Sequence, residues 1–258
     1  MDGKPEFSAI ALANVPLLVE VGMMPSEAAR AEENRIRAAY ARREDGDRYS
    51  WLNPGALFMA QQCEQKILAL LRRSGVVSLE SKTILEVGCG TGHWLREYVK
   101  WGARPKNMTG IDLLPERLAK ARRVCPPNVR LQCASAAQLP FRNEKFDLVF
   151  QSTVFTSVLD PGLKRRIASE MLRVVRSDGI IVWYDYHVNN PWNADVQGVK
   201  RQEINRLFQN CSISLERITL LPPLTRLLAP YSYLLCCLLE KFPPLCTHYL
   251  GIVRKRSS

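Results

Sequence analysis

Glu86, Gly88, Gly90 and Gly92 stand at alternate positions, and a second acid, Asp112, follows the last of these glycines by 20 residues. Glycines so spaced let a backbone turn sharply and approach a ligand with no side chain in the way. An acid at that distance beyond the loop suits a carboxylate that accepts from a ribose hydroxyl. The chain also holds three histidines, His93, His187 and His248, the side chains best suited to moving a proton near neutral pH. His93 follows the glycine loop directly. His187 closes the run Trp183-Tyr184-Asp185-Tyr186-His187, and His248 stands near the C-terminus. The pattern combines a nucleotide-like ligand at one place with acid–base groups at another.

Those residues need a frame. Ile84-Leu85 leads into Glu86 as a strand would, and the apolar residues of 93–99 recur at helical spacing. Strand, tight turn and helix form the opening unit of a nucleotide-binding α/β domain. Asp112 ends the next apolar segment, residues 108–111. A dinucleotide loop, G-x-G-x-x-G, would need its third glycine at position 93, which is His93. The pattern here is E-x-G-x-G-x-G. An acid beside the loop is ill-suited to a pyrophosphate at a helix N-terminus. It suits S-adenosylmethionine, which has no phosphate and carries a cationic sulfonium and ammonium.

With this stretch the sequence resembles the class I S-adenosylmethionine-dependent methyltransferases, most closely the ubiquinone/menaquinone-type branch. Leu139-Pro140-Phe141 followed by Lys145-Phe146-Asp147-Leu148-Val149-Phe150 is similar to the family's fourth-strand segment. Residues 172–182 resemble its helix, glycine turn and fifth strand. The resemblance runs from about residue 82 to 185. It implies an α/β fold: a Rossmann-like, seven-stranded, mostly parallel sheet with an antiparallel last strand. Residues 1–80 would form an N-terminal tail and helical cap, and 81–258 the cofactor-binding domain. Carried over by position, Glu86, Gly88, Cys89, Gly90 and Gly92 would hold the methionine part of the cofactor. Asp112 would hold the ribose, and Leu113 would lie against the adenine. Where relatives place an aspartate for the adenine amino group, this chain has Ser135, a weaker acceptor, aided by the Ala136 backbone. Gln151, read as just past the fourth strand, would point into the same pocket.

Methyl transfer is an in-line displacement on an activated donor, so the protein must chiefly position the acceptor and exclude water. An oxygen acceptor also needs a base. The carboxyl end of the fifth strand opens on the ligand crevice of this fold, and an antiparallel seventh strand begins at the same edge. His187 and His248 are therefore the base candidates, with Asp185 and Tyr186 as orienting or substrate-binding groups. Many relatives carry histidine after the fourth strand, where this chain reads Val154-Phe155-Thr156-Ser157-Val158.

Two regions lie outside this frame. Residues 31–43 have helical character, Asp45-Gly46-Asp47 breaks it, and 49–55 reads as an irregular loop before a helix over 58–73. Phe58, Cys63, Ile67, Leu70 and Leu71 share one side of that helix. Tyr40, Tyr49 and Trp51 are candidates to cover donor or substrate, or else pack the cap. Residues 221–246 form an apolar insertion between strands expected at 212–220 and 247–254. Its uncharged run, 227–239, is too short to span a bilayer, which needs about 20 residues. It reads as a lid helix over the pocket or as an interfacial helix at a membrane.

The net charge of +11 points to an acidic small-molecule or lipid-linked substrate or an anionic membrane face, with nucleic acid unlikely because no recognition motif accompanies the basic clusters. The eight cysteines form no C-x-x-C pair, so a zinc site is not expected and they read as reduced thiols in a cytoplasmic protein, with peripheral membrane contact as the alternative. Residues 7–21 are apolar but interrupted. The function expected is methylation of a small or lipid-linked molecule, with O-methylation of a glycan, glycolipid or secondary metabolite in front. C-methylation of an isoprenoid or quinone-like molecule and a non-catalytic cofactor-binding role are the alternatives.

Overall fold

A computed structural model describes residues 27–43 and 50–256. Tyr49, the break at 45–47 and the segment 7–21 lie outside them.

Seven strands form one sheet in the order β3-β2-β1-β4-β5-β7-β6. They are β1 (Ile84–Val87), β2 (Met108–Asp112), β3 (Arg130–Cys133), β4 (Phe146–Ser152), β5 (Val175–Tyr186), β6 (Cys211–Leu220) and β7 (Cys246–Lys255). The first five run parallel, and β7 is antiparallel to both β5 and β6. β1, β2 and the centre of β5 are buried on both faces, which is why they read as continuous apolar runs and not as alternating ones. The strand order reverses between β1 and β4. That switch point is where open parallel sheets form a ligand crevice.

The helices are α1 (Glu27–Ala41), α2 (Pro54–Arg73), α3 (His93–Lys100), α4 (Pro115–Val124), α5 (Pro161–Val174), α6 (Arg201–Leu207), α7 (Pro222–Leu228) and α8 (Tyr233–Glu240). α2 begins four residues earlier than periodicity alone suggests. Asn53 caps it, its Oδ1 accepting from the Gly55 and Ala56 amides, and Pro54 takes the first helical position where no donor is needed. The expected loop over 49–55 therefore ends at the cap. The five apolar side chains expected on one side of α2 are all buried, and the last four share a core with Ile84, Leu95 and Met108. The glycine turn expected before the fifth strand lies within β5. The register slips between Phe146↔Val175 and Leu148↔Ile180, and a Cβ on Gly179 would stand 2.9 Å from the Asp147 carbonyl oxygen.

Candidate active site

The chain leaves β1 through three glycines with φ of +70°, +53° and +77° at 88, 90 and 92. Gly88 has no room for a Cβ, which would collide with Val154, and a Cβ on Gly92 would collide with the Cys125 thiol. The loop is braced from β2. The Cys89 amide donates to the Ile111 carbonyl at 2.8 Å, and the Gly90 amide donates to Asp112 Oδ2 at 2.7 Å. Asp112 Oδ1 takes the Leu114 amide at 2.9 Å. Burial pushes the Asp112 carboxyl up, and these two amides oppose that push by favouring the charged form.

A cavity of about 410 Å³ opens above this loop at the C-terminal ends of β1, β2 and β4, a size suited to a small-molecule site. Glu86, Gly88, Cys89, Gly90, Asp112, Leu113, Ser135, Ala136 and Tyr40 all face it, as expected from sequence. Gly92 does not; it turns the chain into α3 and packs on Cys125. Glu86 is 2 % exposed and its Oε2 has no hydrogen-bond partner. Burial and the neighbouring charge of Asp112 push its carboxyl well above the usual range. Two buried acids at one cavity floor are costly unless a cation stands between them. The donor set thus fits an ammonium or sulfonium group. Among the described residues no three His, Cys, Asp or Glu side chains gather as a metal site.

α1 closes one side of the cavity through polar contacts. Arg35 donates to the Ser157 carbonyl at 2.6 Å, Arg37 to the Leu113 carbonyl at 2.6 Å, and Glu32 accepts from the Leu159 and Asp160 amides. The Tyr40 hydroxyl lies 3.2 Å from Ser157 Oγ. Glu33 also reaches the cavity, where Ser135 Oγ donates to its carboxylate. Glu33 escaped the sequence reading, because it lies 102 residues from Ser135. One signal was there: Glu33, Arg37 and Tyr40 are spaced four and three apart, on one helix face. His93, which follows the glycine loop, lines the cavity as well, and Arg117 is a further lining residue that the sequence did not point to.

The four residues expected to do acid–base work lie elsewhere. β5 and β7 do bring His187 and His248 to one sheet edge, with Tyr186 opposite His248. None of His187, His248, Asp185 or Tyr186 lines the cavity. His187 Nε2 is 2.9 Å from the Cys246 carbonyl oxygen, and its ring lies 4.5 Å from that of Tyr249. The His248 ring sits 3.7 Å from Tyr186 and 4.7 Å from Tyr184, and burial pushes its imidazole down to about 3. Asp185 is fully buried. It accepts from the Phe155, Thr156 and Tyr186 amides at 2.9, 3.2 and 2.9 Å and from the Thr156 hydroxyl. Those bonds hold the turn after β4, whose Val154 and Ser157 do face the cavity.

One more expectation is corrected. Gln151 lies inside β4 and not beyond it, fully buried, with Oε1 accepting from the Val154 amide at 3.1 Å. Its amide braces the turn instead of the ligand, and Ser152, Thr153 and Val154 line the cavity in its place. Trp51 is half-exposed outside the lining, with its ring 5.6 Å from that of His93 at the mouth.

Residues 84–179 match the family model described as a methyltransferase domain. A phthiotriol/phenolphthiotriol dimycocerosates methyltransferase of Mycobacterium leprae is 31 % identical over 147 residues, 55 % of this chain and 53 % of that protein. A 2-methyl-6-phytyl-1,4-hydroquinone methyltransferase of a Synechocystis species is 32 % identical over 141 residues, 52 % of this chain and 42 % of its own. The chain spans about half the length of these relatives. The solved 1,6-didemethyltoxoflavin-N1-methyltransferase of Burkholderia thailandensis shares the fold, with a TM-score of 0.59 at 15 % identity over 91 % of this chain and 92 % of that one. The family match begins at the first residue of β1 and ends within β5, so the part of the chain that resembles a methyltransferase domain holds the glycine loop and the strands that build the cavity.

Proposed function

We propose that this protein binds S-adenosylmethionine in the cavity above β1 and β2 and methylates a small or lipid-like acceptor. The observation that carries the reading is Glu86, a buried carboxylate with one oxygen unpartnered beside Asp112 and a glycine loop. Glu86 would take the cofactor's ammonium, Asp112 the ribose hydroxyls, and Leu113 and Ala136 the adenine faces. Ser135 with Glu33 would take the adenine amino group, so that the charge missing at 135 comes from α1. Bound there, S-adenosylmethionine supplies an activated methyl group on a cationic sulfur.

The chain's own part is to position the acceptor, exclude water and accept a proton. Of its three histidines only His93 faces the cavity, and burial lowers its pKa, which favours the neutral imidazole whose free ring nitrogen can accept a proton. We assign the base role to His93 in preference to His187 and His248, whose ring nitrogens are turned to backbone and threonine partners. An acceptor hydroxyl suits a site with such a base, which favours O-methylation. C-methylation of a quinone-like ring is the second reading, favoured by the relative named for a hydroquinone substrate.

Calorimetric titration with S-adenosylmethionine and S-adenosylhomocysteine tests the reading. Micromolar binding followed by homocysteine release with hydroxylated lipid acceptors supports it. A folded protein that binds neither compound overturns it, and binding with no turnover on any acceptor leaves the non-catalytic reading standing instead.

A further inference from the structure

Residues 221–246 were open to two readings, a lid over the pocket or an interfacial helix. In the structure the segment is a hairpin of two short helices, and it packs beside α2 instead of over the cavity. Its inward face is apolar, with Leu224, Leu228 and Leu239 packed there beside smaller groups, and polar ties fasten it. Ala229 and Cys236 are buried against Phe58 and Leu220, the Glu240 carboxylate accepts the Thr219 amide at 2.9 Å, and the Tyr233 hydroxyl donates to the Pro54 carbonyl at 3.2 Å. The outward face is apolar too. Leu227, Tyr231, Leu234, Leu238 and Phe242 are 65, 86, 71, 54 and 59 % exposed. Every exposed residue in 221–246 is apolar or aromatic except Lys241.

A helix facing water is polar on its outer face, whereas this hairpin is apolar on both. A contiguous apolar patch of this kind marks a surface that meets something apolar. Charge says what. The one acid of the segment, Glu240, is buried and bonded, while Arg226 and Lys241 flank the uncharged run. Lys66 and Arg217 lie within electrostatic reach of Cys246, where the hairpin rejoins the sheet. The patch is thus apolar at its centre and cationic at its edges, the pattern of an interfacial element on an anionic bilayer. It also continues toward the cavity mouth. Tyr233 touches the first turn of α2, just after Leu52, which is 92 % exposed, and Trp51, whose ring meets His93.

We propose that the α7–α8 hairpin, with Leu52 and Trp51, docks this protein on an anionic lipid surface. No helix among the described residues is long and apolar enough to cross a membrane, so the contact is with one leaflet. Docking in this way would present the cavity mouth to molecules held in that leaflet. The proposal stands on the hairpin's own surface and does not depend on the methyltransferase assignment.

The test is sedimentation of the full chain with vesicles of phosphatidylcholine containing about a third phosphatidylglycerol, against phosphatidylcholine alone. The chain should pellet with the anionic vesicles, and L234E with L238E should weaken partitioning about tenfold or more. Circular dichroism and thermal unfolding should match the wild type, since both leucines face water. Should that pair misfold, Leu227→Ser with Tyr231→Ser replaces it. Failure of the wild type to bind anionic vesicles overturns the proposal, as does binding that survives both pairs, which would place the attraction on basic charge elsewhere. A dimer in sedimentation velocity that these variants dissolve, without vesicle binding, would assign the patch to a second copy of the chain and overturn it too.

Discussion

Glu86 near the end of β1 and Asp185 near the end of β5 are both buried carboxylates on central strands, 2 % and 0 % exposed. Their surroundings differ in one respect. Both Asp185 oxygens are occupied by donors from the turn after β4, whereas Glu86 lines the cavity and its buried Oε2 has no partner. A saturated buried acid is a structural part, because its hydrogen bonds offset its loss of water. An unsaturated one is held at a cost in stability that a ligand removes. The same contrast separates the histidines. His187 and His248 are held by backbone, threonine and aromatic neighbours, and His93 stands at the cavity.

The largest test of that contrast is Glu86→Gln. Affinity for S-adenosylmethionine should fall by about 100-fold, equal to about 3 kcal/mol, as expected for losing a charge-assisted hydrogen bond. The ligand-free protein should be no less stable, since an uncompensated buried carboxylate is gone. Calorimetry and thermal unfolding of one sample measure both. A variant that loses stability and keeps its affinity would put Glu86 in the same class as Asp185.

His248 sharpens the other side through pH. Its folded pKa of about 3 lies below its ordinary 6.5. The unfolded chain therefore binds a proton that the folded chain refuses, and stability is lost as pH falls through 6.5, with the loss complete below about 3. Asp185, pushed up to about 7, works in the opposite sense and regains stability on acidification. The observable is thus the difference between wild type and His248→Gln in urea unfolding. It should shift by about 2 to 3 kcal/mol against the wild type between pH 7 and pH 4.5. A difference that does not change with pH would mean the His248 ring is open to water.

Asp185→Asn should cost about 2 kcal/mol of stability, since an amide NH2 would then face amide donors. Its affinity for S-adenosylmethionine should change by less than about threefold, measured by the same titration. A large loss of affinity at unchanged stability would make Asp185 a ligand group after all. The smallest effect belongs to Glu33→Ala. A loss of about tenfold in affinity for S-adenosylmethionine is expected, with little loss for an analogue lacking the adenine amino group. Equal losses for both compounds would show that Glu33 only fastens α1.

Much of the fold was legible because the elements are strongly patterned. β1, β2 and β4 are largely apolar runs of strand length, and the apolar side of α2 follows from its helical spacing. The cofactor end was legible because it is local in sequence. Glu86 near the end of β1 leads straight into the glycine turn, and Asp112 ends the neighbouring strand. What escaped depends on contacts between distant segments. Glu33 meets Ser135 only because α1 packs against the loops that follow β2, β3 and β4. Gln151 and Asp185 looked like pocket residues, since a sequence names a polar side chain but not which amide it accepts.

The sequence by itself determined the glycine loop, its two acids and the sheet that carries them, since these follow from residue type and short spacing. Only the tertiary structure decided which buried acid is saturated, which histidine faces the cavity and which side of the 221–246 hairpin meets water. Hydrogen-bond saturation and exposure are properties of packing, set by segments far apart in the chain.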